Sequence, residues 1–161
     1  MASVYMGPLG STQEVIGGGG GGGALKTIFG QSPPVATLYP GNMAPHSLFG
    51  VVPFVLGVGA SDLCVDVVAT FSCDVATVAD SQFIVRGDLD GVPGSFVALQ
   101  GSTIPLGGGV RIASAVGVAC LPPIAVPPGP HTIEWFVITP VDLRTLTGNS
   151  AFAMFRAFWT E

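Results

Sequence analysis

The sequence predicts an all-β protein, an antiparallel β-sandwich of jelly-roll type with an extended N-terminal arm. Three observations carry this prediction. The 24 glycines and 14 prolines divide the chain into short segments, those segments alternate apolar and polar side chains with the period of two that a strand requires, and apolar residues at helical spacing are hard to find. The 161 residues suit one domain, which we place at 24–161 after an arm at 1–23.

The clearest predicted strand is 63–73, where apolar side chains at every second position face one way and a mixed set faces the other. The segment 109–121 alternates larger apolar residues with small ones, and we expect the small residues to form a closely covered outer face. Eight or nine strands separated by turns indicate a sandwich or barrel, and a jelly roll protects strand edges with two packed sheets. The other predicted strands are 24–29, 35–39, 48–58, 82–89, 96–100, 131–139 and 151–160.

The arm is predicted from Gly17–Gly23, an unbroken run of seven glycines that has no side chains to bury. Such a run acts as a flexible linker unless a neighbour orders it. We therefore expect an arm that works in assembly, with Gly17, Gly20 and Gly23 as its marker positions.

The composition indicates a chain whose surface is covered by neighbours. Charged residues make up 9% of the sequence and hydrophobic residues 48%, whereas soluble domains carry about 25% charged residues. Gly, Pro, Asp or Arg interrupts every apolar stretch before it reaches membrane-spanning length, and the first residues lack the pattern of a signal peptide. The net charge of −5 has the wrong sign for binding a phosphate backbone, so no nucleic acid and no membrane are expected as partners.

The three cysteines do not suggest a metal site, because none has the clustered spacing of zinc ligands. Cys64 and Cys73 lie nine residues apart on one predicted strand and are too far apart to bridge. We expect all three to be reduced or packed, with a disulfide between Cys73 and Cys120 as the minor alternative.

The candidate residues for chemistry all have a simpler structural interpretation. Lys26 follows a glycine run but lacks the glycine directly before it that a phosphate-binding loop needs, and Asp88–Gly91 fits a hairpin turn better than a calcium loop. His46 and His131 lack a nucleophile motif, and Glu134 lacks a second carboxylate for glycoside hydrolysis. We expect no catalysis, cofactor or metal site. The sequence leaves open a surface cation held by Asp62, Asp66, Asp74 and Asp80.

The last predicted strand is apolar on both faces, which is typical of a central strand or of a strand at a subunit interface. The candidate interface residues are Trp135, Phe155 and Trp159.

Three segments and a closing strand with Arg156 resemble compact jelly-roll proteins of tailed-phage particles. The segments are SDLCVDVVATF (61–71), FIVRGDLDGVP (83–93) and PPGPHTIEW (127–135). The resemblance covers about 100 of the 161 residues and rests on spacing and residue type. Trimeric jelly rolls of other origins, such as the tumour-necrosis-factor-like and complement-C1q-like folds, have similar patterns.

The resemblance implies a homotrimer without a cofactor that serves as a capsid decoration (cement) protein or as a tail or fibre component. We therefore expect a non-enzymatic structural protein of the virion, assembled in the host cytoplasm, whose partners are itself and other virion proteins such as the major capsid protein. The alternative is a tail-fibre or receptor-binding module that recognises a host-surface glycan through exposed aromatic residues.

Overall fold

A computed structural model describes residues 23–31, 38–74, 82–107, 110–122, 125–145 and 153–161. Within these ranges the chain is all-β, with antiparallel strands and no helix, as the sequence predicts. The strands are β1 (Leu25–Gln31), β2 (Leu38–Tyr39), β3 (His46–Ser47), β4 (Val52–Leu56), β5 (Leu63–Asp74), β6 (Gln82–Leu89), β7 (Val92–Gly107), β8 (Val110–Leu121), β9 (Gly129–Ile138), β10 (Leu143–Thr145) and β11 (Ala153–Thr160).

The main path of hydrogen-bonded strands runs β1-β11-β5-β8-β7-β6-β9-β3, with β4 also paired to β9 and β10 paired to β2 and β5. Within it, β6, β7 and β8 follow one another, and β5 returns to lie beside β8. That order of four strands is a Greek key, the arrangement that most β-sandwiches contain. The jelly roll is a more specific expectation, and it stays a prediction.

The sheet folds over so that its two ends pack face to face around one core. Phe54 on β4 contacts Trp159 on β11 with ring centroids 5.7 Å apart, and Trp135 on β9 contacts Phe155 on β11 at 6.2 Å. These contacts join strands that lie far apart along the path, as in a β-sandwich.

The turn between β6 and β7 has the geometry that its two residues predict. Asp90 and Gly91 both have positive φ, 52° and 73°, and Leu89 pairs directly with Val92 across the turn. Two consecutive positive φ angles match the right-handed twist of a two-residue hairpin, and Asp-Gly is a preferred sequence for it. The hairpin interpretation of 88–91 is confirmed.

The predicted alternation of β5 is confirmed, because Leu63, Val65, Val67, Ala69 and Phe71 are all buried. The predicted orientation of β8 is wrong. Ala115 is buried, whereas Val116 and Val118 are each 69% exposed. Small side chains face inward on this strand because its inner face lies against the close-packed core, and the larger valines point outward.

Most predicted strands agree with the structure to within a few residues, and β6 agrees at both ends. The prediction missed β3 and β10, which have two and three residues. Such short strands exist because a neighbouring strand offers hydrogen bonds, and they are too short to show a period.

The arm lies outside the described residues as far as residue 22, and this includes Gly17 and Gly20. Gly23 is described, and it sits where β1 meets the end of β11. The Ala24 backbone N–H donates to the Glu161 carbonyl at 2.6 Å, and a Cβ at Gly23 would overlap the Glu161 backbone. Gly23 therefore belongs to the edge of the folded domain.

The expectation of three reduced or packed cysteines is wrong, because Cys64 and Cys120 form a disulfide across a sequence separation of 56 residues. The register of β5 and β8 places these two residues directly opposite each other. Cys73 is thereby left without a second cysteine in the chain, so the alternative pair of Cys73 and Cys120 is also wrong.

The described part of the chain contains no apolar helix long enough to span a membrane.

Candidate assembly surface

The three candidate interface residues all lie in the hydrophobic core. Trp135, Phe155 and Trp159 are 0%, 2% and 4% exposed, so their side chains have no surface to offer a partner. The Trp135 indole N–H has no hydrogen-bond partner among the described residues, and its ring contributes through packing against Phe96 and Phe155. The interpretation of these residues as an interface is therefore corrected to core.

The opposite side of β11, the strand of Phe155 and Trp159, belongs to an exposed apolar surface. On β11 the inward residues alternate with exposed Met154 and half-buried Phe158. The neighbouring strands β1, β5 and β8 also present apolar side chains on this side, because their registers align outward positions in rows. We call this surface the outer apolar face; its apolar residues are Leu25, Phe29, Val68, Val116, Val118, Met154 and Phe158.

One row of the outer apolar face runs across three strands without a polar residue. Val68 on β5 pairs directly with Met154 on β11 and with Val116 on β8. The three residues are 41%, 51% and 69% exposed. Side chains opposite each other in a sheet lie about 5 Å apart, so this row is continuous apolar surface.

The next row contains the charged residues of this face. Phe29, Arg156, Asp66 and Val118 follow one another across β1, β11, β5 and β8. Arg156 forms an ion pair with Asp66, using both Nε and Nη2, and its guanidinium lies 5.0 Å from the centre of the Phe158 ring. These are the two charged residues of this row, and their charges cancel.

The third row consists of Thr27, Phe158, Cys64 and Cys120, none of which is charged. The disulfide of Cys64 and Cys120 lies in the third row. Six exposed side chains, at 40–69% exposure, present on the order of 500 Å² of apolar surface, which is the size of the largest patch on an ordinary monomer and is often functional. Thr27, Thr70 and Thr160 also lie on this side, and the row of Val68 ends at Gln31 on β1.

The exterior of the opposite sheet differs, because its polar groups bind each other. Arg86 donates from Nε and Nη2 to the Asp88 carboxylate, both at 2.8 Å, and stacks over the Phe136 ring at 5.3 Å. Ser47 on β3 donates to Glu134 on β9 at 2.8 Å. The contacts of Arg86 with Phe136 and of Ser47 with Glu134 join neighbouring strands. Arg86, Asp88 and Glu134 therefore have partners within the protein and do not require a ligand.

His131 holds the β6–β7 turn against the start of β9. Its Nδ1 lies 2.8 Å from Asp90 Oδ2 and its Nε2 lies 2.7 Å from the Pro127 carbonyl. Burial lowers the pKa of His131, but the hydrogen bonds to Asp90 and Pro127 and the charge of Asp90 outweigh burial, so the pKa is raised. Both ring nitrogens face acceptors, which favours the doubly protonated ring.

The other residues considered for chemistry are dispersed or already bonded. His46 Nε2 lies 3.1 Å from Asn42 Oδ1, and Asp88 accepts hydrogen bonds from Arg86 and from the Gly94 backbone. Asp66 is bound by Arg156, whereas Asp80 lies outside the described residues. Within the described ranges, no group of three or more His, Cys, Asp or Glu side chains is placed to hold a metal ion.

The exposure of Val68, Val116 and Val118 was not predicted, although the sequence contains a signal for it. Val116 and Val118 alternate with small residues, and Val68 lies on the mixed face of β5. Where both sets of alternating positions are apolar, periodicity separates two faces but does not say which one is buried.

No protein-family model matches the sequence, and no curated protein matches it either.

Proposed function

We propose that this chain is a non-enzymatic structural subunit of a larger assembly, a virion protein that stabilises a particle by packing on neighbouring subunits. The single observation that carries the proposal is the outer apolar face, which presents apolar side chains from four neighbouring strands. Leaving such a surface in water is unfavourable, and burying it against a neighbour is favourable by roughly 25 cal/mol per Å². The role we favour is that of a capsid decoration subunit.

The disulfide also supports a location on a particle. Disulfides persist in secreted proteins and on virion surfaces, and they are rare in the cytosol, where thiols are kept reduced. Cys64 and Cys120 lie on adjacent strands, and Cys120 is exposed. A virion protein assembled in the host cytoplasm would acquire this bond once the particle meets an oxidising environment.

The glycan-binding alternative requires an exposed ring among Tyr5, Tyr39, Trp135 and Trp159, and three of these four are buried. Sugar stacking needs an aromatic ring on the surface, whereas Tyr39, Trp135 and Trp159 are all buried. Tyr5 lies outside the described residues. The buried rings therefore favour the decoration role over the receptor-binding role.

The proposal is tested by asking whether the chain is part of a particle. Particles from the source of the gene are purified on a density gradient, and the chain is followed across the gradient by mass spectrometry. We expect it to sediment with the particle. A variant with Val116→Ser and Val118→Ser should dissociate from the particle, whereas Val55→Ser, at a 65% exposed valine on β4, should remain bound. The proposal is wrong if the chain stays in the soluble fractions.

A further inference from the structure

We propose that the outer apolar face binds a second copy of this chain, face to face, across a two-fold axis that runs parallel to the strands between β5 and β11. This inference rests on the proposed function and names the partner of that same surface. It follows from the charge pattern of the face and from the apolar area that it exposes.

The position of the charges selects the orientation of the two copies. Two sheets that pack face to face keep their strands nearly aligned, so the two-fold axis runs either across the strands or along them. An axis across the strands through Asp66 and Arg156 places each residue against its own copy, which brings like charges together. An axis along the strands places Asp66 against Arg156 of the other copy. Like charges that face each other across an interface oppose binding, so the second arrangement is favoured.

The same axis makes the apolar residues complementary. β5 and β11 are the two central strands of the four, so the rotation places β5 over β11 and β8 over β1 of the second copy. Met154 then faces Val68, Phe29 faces Val118, and Val116 faces the position of Gln31. A two-fold contact needs a surface that complements itself in this way. The apolar rows and the alternating charges satisfy that requirement together.

The area and the charge of the face also fit a second copy. A stable interface buries about 800 Å² on each partner, and the apolar side chains supply on the order of 500 Å² of it, with Arg156, Asp66, the threonines and the disulfide supplying polar and sulfur surface around them. The ion pair stays within each chain and gains a second opposite charge from the other copy. A partner with one sign of charge would leave either Asp66 or Arg156 against a like charge.

The test is a charge exchange measured on the full chain by sedimentation velocity. The wild type should be a dimer. Asp66→Arg and Arg156→Asp should each raise the dissociation constant by about tenfold or more, because each variant places like charges at the centre of the contact. The double variant, in which the two charges are exchanged, should dimerise again.

Mixing the wild type with the double variant is the most specific test of how the two copies are oriented. When the wild type is mixed with the double variant, contacts between the two kinds of chain place like charges together, so mixed dimers should form well below the statistical proportion. Val116→Ser with Val118→Ser should weaken the dimer, and the matched Val55→Ser should not. Circular dichroism checks that each variant keeps its sheet.

Three results would overturn this inference: a wild-type monomer, mixed dimers at the statistical proportion, or an oligomer that none of these substitutions affects. An oligomer that none of these substitutions affects would use another surface. If that oligomer is a trimer, it would agree with the family resemblance. A monomeric chain that still sediments with the particle would remove this inference and leave the proposed function in place. A dimer that is absent from particles would contradict the proposed function and leave this inference in place.

Discussion

Asp90 and His131 lie 41 residues apart in the sequence and meet at 2.8 Å, where they close the β6–β7 turn against the start of β9. Asp90 is bound a second time, because its Oδ1 accepts the Thr132 backbone N–H at 2.8 Å. Burial alone would raise the pKa of Asp90, but the hydrogen bonds from His131 and Thr132 and the charge of His131 lower it. The Asp90 carboxylate therefore joins the β6–β7 turn to the start of β9.

The stability of the protein should depend on pH through this pair. Because the pKa of His131 is raised in the folded state, its contribution is complete below about pH 6.5, the unfolded value, and is lost as pH rises through the folded pKa. Urea unfolding should show a lower free energy of unfolding at pH 8.5 than at pH 6. His131→Gln should lower stability by about 1–2 kcal/mol at pH 6 and should flatten this dependence.

Asp90→Asn is the control for the charge. Asn-Gly suits the same turn, so this variant keeps the hairpin and removes the carboxylate. We expect it to show the same flattened pH dependence as His131→Gln. On the acid side, the lowered pKa of Asp90 means that its contribution is present above about pH 3.9 and is lost as pH falls through the folded pKa. A wild-type profile that is level from pH 6 to 8.5 would contradict the role of the pair.

Val67 and Val68 test the orientation of β5 with two adjacent residues of one type. Val67 is 2% exposed and Val68 41%. Val67→Ala should lower the free energy of unfolding by about 1–3 kcal/mol because it leaves a cavity in the core. Val68→Ala should change it by less than about 0.5 kcal/mol when measured on the monomer at low concentration. Equal destabilisation by the two substitutions would contradict the assignment of Val67 to the core and Val68 to the surface.

Gly30 should resist substitution because of the ring beside it. Gly30 on β1 pairs directly with Phe155 on β11, and a Cβ at Gly30 would overlap that ring. Gly30→Ala should therefore destabilise the fold by about 1–3 kcal/mol. In the Phe155→Leu background the same substitution should cost less, because the overlapping ring is gone, and a double-mutant cycle measures this coupling. Additive effects would contradict the close contact.

The disulfide should leave one thiol free in the chain. Thiol titration of the unfolded, unreduced protein should count one free cysteine, and peptide mapping should identify it as Cys73. Replacing Cys64 and Cys120 by serine should lower the free energy of unfolding by about 2–4 kcal/mol, whereas Cys73→Ser should leave the disulfide intact. Three free thiols in protein purified under oxidising conditions would refute the pairing.

The sequence by itself determined the local features of this protein. The alternation along β5 follows from side chains that point to opposite sides at successive positions. The Asp90–Gly91 turn follows from two residue types that accept positive φ. Both are properties of neighbouring residues, so a single strand or turn contains all the information needed to predict them.

Only the tertiary structure decided which faces are buried and which residues meet. Trp159 and Met154 lie on opposite faces of one strand, and both faces are apolar, so the strand alone does not reveal that Trp159 enters the core. The pairing of Cys64 with Cys120 depends on the register of β5 and β8. Burial and register are set by the packing of strands distant in the sequence, and for that reason the outer apolar face became visible only in the folded chain.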